Sequence, residues 1–363
     1  MKKLSIYFKH NVYLVILYIL AICMVACSYN YKGNLSVYDL LEDYGYSNES
    51  QKKSLEYLMR QANIIPETQT LAKYFPARAN HNDLLKDILK FVKETQKSFT
   101  IRSAAQERWE VQGLKWMKKN TEQNIMALKD LGFINKISPN IKNPDAICIL
   151  GATMPSMERR IDYVKELLTD KKLQTQNIIL LAGERYVTSN ADGDEIKLLD
   201  IARKYGFDSV NKLTETHLIQ ELYLNSPLHK IPYYVIDTPR NNLPRPTTET
   251  TIIKLKGWLS EHKEIKSIVF VSSQPNVKYQ AAVINETLKN IDVKFEVVGP
   301  AASADTKVHN IIGALGSEIW AKTPSVISKL NYKNWDKELV QEFKQLYSKN
   351  PLINKNVEKL FDY

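Results

Sequence analysis

The spacing of hydrophobic and polar positions changes twice along the chain. From about residue 28 to residue 135, apolar residues recur every three or four positions, which is the spacing of amphipathic helices. Over 145–306, short apolar runs alternate with segments of helical spacing, and beyond residue 307 the helical spacing returns. The pattern predicts an N-terminal helical region over 28–135, an α/β domain over 145–306 and a helical C-terminal extension over 307–363.

The apolar runs of the middle zone predict five strands. They are rich in β-branched residues and apolar on both faces, which is typical of a parallel sheet covered by helices. Their separation suits right-handed strand–helix–strand crossovers. We therefore predict an α/β fold with a doubly wound, mainly parallel five-stranded sheet that is Rossmann-like. The predicted strands are 146–151, 177–182, 231–237, 267–272 and 293–299, and the predicted helices are 157–168, 195–205, 212–224, 250–261 and 278–289.

The first 27 residues form a basic leader and an apolar run. Lys2, Lys3 and Lys9 precede the unbroken apolar run Val12–Ala26, which is short for a helix that spans a bilayer and suits a secretory signal. The stretch "MVAC" resembles a bacterial lipobox and predicts lipid attachment at Cys27. The alternative is an uncleaved anchor helix. Both interpretations tether the protein to a membrane, with its body in the periplasm or elsewhere in the bacterial cell envelope.

The net charge indicates which partners the protein attracts, and the cysteine content indicates whether disulfides stabilise it. A net charge of +10 favours anionic surroundings such as phospholipid headgroups, envelope polymers or phosphorylated ligands. The basic residues are scattered and no nucleic-acid motif is present, so we expect no nucleic-acid partner. Besides Cys23 and Cys27, the chain has only Cys148, which excludes a disulfide framework. Cys148 lies between isoleucines of a predicted strand, where a thiol serves as a small buried hydrophobe.

Chemistry in such a sheet is expected beyond the carboxyl ends of the strands. Five loops lie there, namely 151–156, 183–194, 238–248, 273–276 and 299–304. In the first loop, Gly151 and Thr153 precede a helix that carries Arg159 and Arg160, and this combination suits an anion. Neither GxxxxGK[ST] nor GxGxxG is present, and an ordinary strand-to-helix turn remains the alternative.

The second loop places carboxylates after a buried strand. Gly183 and Glu184 follow the strand, and Glu195 opens the next predicted helix. Such a pair of carboxylates suits a hydroxyl-rich or cationic group, or a general base. The alternative for Glu195 is compensation of the helix dipole.

The third loop is the densest in polar residues. Arg245 precedes Thr248 and Glu249 at the start of a predicted helix, and three prolines stiffen the loop. This rigidity suits a binding site, although a Thr–Thr–Glu sequence also starts a helix well by itself. In the loop after the fourth strand, Ser273 and Asn276 offer further hydrogen-bonding groups.

One pair of residues has the spacing of metal ligands. His217 and Glu221 are four apart on a predicted helix and share a face, but no third donor is identifiable. A surface contact pair is the alternative. The absence of GxSxG, HExxH and CxxC from the sequence removes most support for Ser–His–Asp hydrolysis and zinc chemistry.

The ordered loops resemble a known family. The stretches "ILGATMPSMERR", "ILLAGER" with Glu195, "RPTTETT" and "VFVSSQPNVKYQAA" are similar to those of the SanA-, YdcF- and ElyC-like envelope family of bacteria. These are Rossmann-like proteins of unsettled reaction, often tethered to the inner membrane. The resemblance covers 145–303. It implies a shared ligand site formed by Gly151, Arg159 or Arg160, Gly183, Glu195, Thr248 and Glu249.

The chain departs from that family in the last of these loops. The family usually has a histidine followed by an arginine there, whereas this chain has Asn276, Lys278 and Gln280. If the histidine were a proton donor, this chain would bind the family's ligand without turning it over.

These observations lead to three functional hypotheses. The first is a membrane-tethered envelope protein whose α/β domain binds a phosphorylated or nucleotide-like small molecule, with Arg159, Arg160 and Arg245 as anion contacts. Glu195 and Glu249 would contact hydroxyls or serve as acid and base, and no cofactor is identified. The second is a non-enzymatic adaptor lipoprotein whose helical region binds a protein partner. The third, a secreted hydrolase or transferase, rests only on His217 and Glu221.

Overall fold

The structure is a computed structural model that describes residues 34–100, 111–171, 173–348 and 360–361. The predicted signal segment and Cys27 therefore lie outside the described residues. Among the residues described, no helix combines the length and the apolar character needed to cross a membrane.

The N-terminal region is helical, as its periodicity predicts. Its core is apolar, with Leu55 and Phe91 fully buried. Asn80 caps the longest of these helices, where its side chain accepts a hydrogen bond from the Asn82 amide. The helices described in this region are α1 (Val37–Leu40), α2 (Glu49–Gln61), α3 (Leu71–Tyr74), α4 (His81–Phe99), α5 (Lys115–Lys118) and α6 (Thr121–Asp130).

All five predicted strands are present and all pair in parallel. They are β1 (Ala146–Leu150), β2 (Asn177–Gly183), β3 (Tyr233–Thr238), β4 (Ser267–Val271) and β5 (Lys294–Val298). Their order in the sheet is β3-β2-β1-β4-β5. Every residue of the central strand β1 is buried, because its sequence AICIL is apolar on both faces. The predicted α/β fold class is confirmed.

Helices cover both faces of the sheet. On one face, α7 and α10 pack against Ile147 and Ile149, whereas α11 and α12 pack on the other face against Cys148. Cys148 is fully buried, and burial raises its pKa well above the ordinary value, as expected for a buried hydrophobe. The helices are α7 (Met154–Thr169), α8 (Ser189–Asp192), α9 (Glu195–Lys204), α10 (Glu215–Leu224), α11 (Thr248–Glu261) and α12 (Val277–Leu288).

Three predicted helix starts were wrong by two or three residues. Helix α7 begins at Met154 rather than residue 157, because Pro155 fits the first turn of a helix. Helix α11 begins at Thr248 rather than residue 250, because Thr247 accepts a hydrogen bond from the Thr250 amide. A short 3-10 turn ends at Lys212, so α10 begins at Glu215 rather than residue 212.

The C-terminal helices α13 (Val308–Lys329) and α14 (Lys337–Tyr347) complete the helical region. Leu315 of α13 and Phe343 of α14 belong to the same hydrophobic cluster as the N-terminal helices. Helix α13 packs against α4 and also against α12 of the α/β domain. The predicted extension therefore joins the first helical region to the α/β domain.

Candidate functional site

A cleft opens where the strand order reverses. The chain passes from β1 to its neighbour β2 and on to β3, then returns to β4 on the other side of β1. The loops after β1 and β4 therefore lead to helices on opposite faces of the sheet, α7 and α12. The cleft at their carboxyl ends has a volume of about 580 Å³. This is the position at which open parallel sheets bind ligands.

All five loops singled out in the sequence contribute to the cleft. Nine of the predicted site residues line it, namely Gly151, Thr153, Arg159, Arg160, Gly183, Arg245, Thr248, Ser273 and Asn276. Three predicted carboxylates are not among its lining residues. Glu195 is exposed in the first turn of α9, and Glu249 is buried in the first turn of α11. Glu184 accepts a hydrogen bond from the Arg240 amide at 3.0 Å and lines a separate, shallow depression.

Arg160 forms part of the floor of the cleft. Its Nη1 donates to the carbonyl oxygens of Leu150 and Gly151 at 2.5 and 2.8 Å, and its Nε and Nη2 lie 3.3 Å from Ser273 Oγ. The residue is only 2% exposed. The guanidinium therefore ties the end of β1 to the loop after β4 and supplies hydrogen-bond donors to carbonyl groups that the strand leaves unpaired.

A second buried arginine, Arg185, organises the side of the cleft near β2. Its guanidinium donates to both carboxylate oxygens of Asp192, at 2.8 and 3.0 Å, and to Glu215 Oε2 at 3.0 Å. Burial by itself would lower the pKa of Arg185, but hydrogen bonds and charges from these two carboxylates outweigh it and raise the pKa. Asp192 also accepts from the Met154 amide at the start of α7. The cluster fixes the loop after β2 against α7.

Glu215, like Arg185 and Lys307, lines the cleft although the sequence patterns did not indicate it. Its Oε1 lies so close to Gly151 that a Cβ there would be 1.9 Å away. Burial raises the pKa of the Glu215 carboxyl, although the charges of Arg185, Arg160 and Arg245 act in the opposite direction. A desolvated carboxylate beside three guanidinium groups is a candidate ligand-binding or acid–base group.

The sequence did contain a signal for Glu215. The prediction considered only loops that follow strands, whereas Glu215 starts the second long helix of the β2–β3 crossover. A helix that runs back along the sheet also begins at the carboxyl edge. Thr214 just before it forms a capping box with His217, whose Nδ1 accepts from the Thr214 amide at 3.0 Å. A threonine cap followed by a glutamate in this crossover therefore indicates a further candidate site residue at the carboxyl edge of the sheet.

His217 and Glu221 have local roles in the structure. His217 completes the helix cap, and burial lowers its pKa. Glu221 pairs with Lys204 and accepts from Asn225 Nδ2 at 2.7 Å. No cluster of three or more metal-ligating side chains occurs in the described part of the chain. Each of the two side chains is therefore bound by neighbours of its own, and Glu221 is buried rather than on the surface.

The charged residues of the cleft are mainly cationic. Arg159, Arg160, Arg185, Arg245 and Lys307 line it together with only two carboxylates, Glu215 and Asp305. Arg160 and Arg185 are buried in the floor and side, whereas Arg159 and Arg245 are partly exposed and Lys307 is exposed. Arg159 Nη2 donates to the Ala301 carbonyl at 2.5 Å, which places this guanidinium beside the loop after β5. The rim can therefore attract an anion.

The loop after β4 contributes amides. Asn276 and Gln280 line the cleft, and Gln280 Nε2 lies 3.4 Å from Thr248 Oγ1 while its Oε1 accepts from the Ser272 hydroxyl. Lys278 is turned away, with its ammonium 5.0 and 5.4 Å from the ring centres of Tyr46 and Phe133. Burial lowers the pKa of Lys278. This lysine therefore supports the contact with the helical region and is not among the residues that line the cleft.

The arrangement combines a cationic rim, many hydroxyl and amide groups, and one desolvated carboxylate. The hydroxyl groups that line the cleft include those of Thr153, Ser156, Thr248 and Thr251. Such a surface can hold an anion whose remaining part is polar. A scan of the chain against protein-family models gave no match, and a search of curated proteins gave none.

Proposed function

We propose that this chain is a membrane-tethered envelope protein whose cleft binds a phosphorylated or nucleotide-like small molecule. The observation that carries the proposal is the excess of cationic over acidic side chains at the point where the strand order reverses. Phosphate esters, like carboxylates, are anions that accept two parallel hydrogen bonds from one guanidinium group.

Arg159, Arg245 and Lys307 are the proposed phosphate contacts. They come from three different segments: α7, the loop after β3 and the residue before α13. Lys307 and Thr248 also lie at the starts of α13 and α11, where the helix dipole favours negative charge. Convergence of side chains from separate segments fits a ligand of nucleotide or sugar-phosphate size better than a single surface ion.

Loss of Arg159 is expected to weaken binding about tenfold, because a charge-assisted hydrogen bond contributes roughly 1.5–3 kcal/mol. The test is isothermal titration of the full chain with AMP, glycerol phosphate and a short-chain polyprenyl phosphate. Arg203→Ala is the matched control, since Arg203 on α9 is exposed, pairs with Asp200 and does not line the cleft. Binding that Arg159→Ala weakens and Arg203→Ala leaves unchanged supports the proposal. Failure of every phosphorylated compound to bind contradicts it.

The membrane tether rests on the N-terminal sequence. The basic leader and the apolar run Val12–Ala26 support export, and Cys27 in "MVAC" supports lipid attachment. Metabolic labelling with a fatty acid tests this part separately. We expect label in the wild-type chain and none in Cys27→Ser. Membrane association that persists without label would instead support the uncleaved anchor.

One observation favours the second hypothesis, an adaptor that binds a protein partner. On helix α6, Ile125 and Met126 are 38% and 69% exposed next to each other, on the surface of the helical region. Adjacent exposed apolar side chains occur at protein interfaces. Co-purification of one stable partner, lost in Ile125→Ser/Met126→Ser and retained in Arg159→Ala, would support this function. Retention of the partner by the double variant would contradict it.

A further inference from the structure

Glu215 presents one carboxylate oxygen to the cleft. Its Oε2 accepts from Arg185, whereas Oε1 has no hydrogen-bond partner among the residues that the structure describes. The side chain is 13% exposed, so water has limited access to it. The carboxylate oxygen Oε1 is open to the cleft and has no donor from the described residues, so a bound ligand can supply one.

The Glu215 carboxylate is held in one position. Arg185 binds its Oε2 and is itself held by two bonds to Asp192. Asp192 is anchored in turn by the backbone amides of Met154 and Thr188. Gly151 leaves the space that Oε1 occupies. The unpaired oxygen is therefore preorganised for one interaction, as specific recognition requires.

The charges around Glu215 restrict what the donor can be. A phosphate oxygen at this position would be repelled by the carboxylate. A cationic group would be repelled by Arg160, Arg185 and Arg245, whose charges all act on Glu215. A neutral donor satisfies both conditions, and a hydroxyl group is the neutral donor that phosphate esters of sugars and nucleosides carry.

Arg159, one of the proposed phosphate contacts, lies on the other side of the cleft from the Glu215 carboxylate, whereas Arg245, in the loop after β3, lies on the Glu215 side. Arg159 contacts Ala301 in the loop after β5, on one side of the β1–β4 reversal. Glu215 contacts Arg185 in the loop after β2, on the other side. A ligand bound by both must therefore carry its hydroxyl at some distance from its phosphate.

We propose that Glu215 Oε1 accepts a hydrogen bond from a ligand hydroxyl, so that the cleft selects hydroxyl-bearing phosphate esters, such as nucleotides or sugar phosphates. This inference rests on the proposed function, because it takes the phosphate contacts to be those proposed above. Inorganic phosphate and polyprenyl phosphates lack such a hydroxyl and are expected to bind more weakly.

Matched pairs of phosphate esters test the selection. The full chain is titrated with AMP against dideoxy-AMP, and with glycerol phosphate against propyl phosphate. In at least one pair, we expect the hydroxyl-bearing ester to bind the wild-type chain about tenfold more tightly, since an acceptor left unpaired in the complex costs about 1–3 kcal/mol. In Glu215→Gln, the ratio of the two affinities within each pair is expected to fall to near one.

Two further variants separate recognition from folding. Gly151→Ala keeps the carboxylate but displaces Oε1, so we expect the same loss of the ratio. Glu261→Gln, which changes an exposed glutamate at the end of α11 that does not line the cleft, is expected to keep the wild-type ratio. Equal binding of both members in every pair, or a ratio that survives Glu215→Gln and Gly151→Ala, overturns this inference and leaves phosphate binding standing. Failure of all phosphorylated compounds to bind overturns the proposed function, and this inference with it.

Discussion

Buried arginines determine the shape of the cleft at the scale of single residues. Arg160 supplies donors to the Leu150 and Gly151 carbonyls, and Arg185 holds Asp192 and Glu215. The sequence identified Arg159 and Arg160 as equivalent anion contacts. The structure distinguishes them, because Arg160 is 2% exposed and its hydrogen bonds hold two loops together. A sequence pattern cannot separate such neighbours, since their roles depend on which carbonyls and hydroxyls lie opposite in the fold.

Replacing Arg160 is expected to destabilise the fold. In Arg160→Met the buried carbonyls at the end of β1 lose their donors, so the free energy of unfolding should fall by about 2–3 kcal/mol. Urea denaturation followed by circular dichroism measures this change. Arg203→Met, at an exposed position, should stay within about 0.5 kcal/mol of wild type. If the free energy of unfolding of Arg160→Met also stayed within about 0.5 kcal/mol of wild type, Arg160 would not hold the loops together as described.

Glu215 is expected to make stability depend on pH. Burial raises its pKa above 4.5, so just above that value the folded chain holds a proton that the unfolded chain has lost. The contribution of Glu215 to the free energy of unfolding therefore falls as the pH rises through this window. Glu215→Gln carries no titrating proton there, so its stability relative to wild type should rise over the same window and then level off. Urea denaturation at a series of pH values measures the difference, and a change of opposite sign would contradict the raised pKa.

At the scale of elements, the starts of helices and the ends of strands place the site. The strands were predictable because runs such as AICIL have no polar face, and the reversal between β1 and β4 then fixed where the cleft lies. The start of α10 was not considered, so Glu215 was missed. Glu195 was predicted as an acid–base residue because it forms a pair of carboxylates with Glu184 in the loop after β2, but the first turn of α9 is exposed and Glu195 does not line the cleft.

The loops after β4 and β5 pack closely against each other at Gly299. A Cβ at Gly299 would lie 2.6 Å from the backbone oxygen of Ser272, so Gly299→Ala must move one of the two loops. We expect a loss of about 1–3 kcal/mol in the free energy of unfolding. Gly257→Ala in α11, where a Cβ meets open space, should instead raise stability by roughly 0.5–1 kcal/mol. Thermal and urea denaturation of both variants test the contrast, and equal effects would contradict the close approach.

At the scale of the whole molecule, α13 connects the helical region to the α/β domain. Its Glu318 is fully buried, accepts from the Tyr46 hydroxyl at 2.8 Å and pairs with Lys322 at 2.6 Å. Lys322 in turn donates to the Tyr44 carbonyl. The sequence predicted α13 only as part of a helical C-terminal extension, because local periodicity shows that a segment is helical but not which distant helices it packs against.

Removal of Lys322 tests this connection. Lys322→Met leaves the buried Glu318 carboxylate without its nearest cation, so the free energy of unfolding should fall by about 3–5 kcal/mol. The double variant Lys322→Met/Glu318→Leu removes both charges and should recover part of that loss. Urea denaturation gives both values. A double variant less stable than Lys322→Met would contradict the view that the unpaired charge causes the loss.

The central claim is that the cleft binds a phosphorylated small molecule, and the most direct measurement is mass spectrometry of compounds released from the purified full chain. We expect a phosphorylated compound to co-purify with the wild-type chain and to be lost from the Arg159→Ala/Arg245→Ala variant. Arg203→Ala, altered outside the cleft, should retain it. Release of no phosphorylated compound from the wild-type chain, or the same amount from the double variant, would contradict the account.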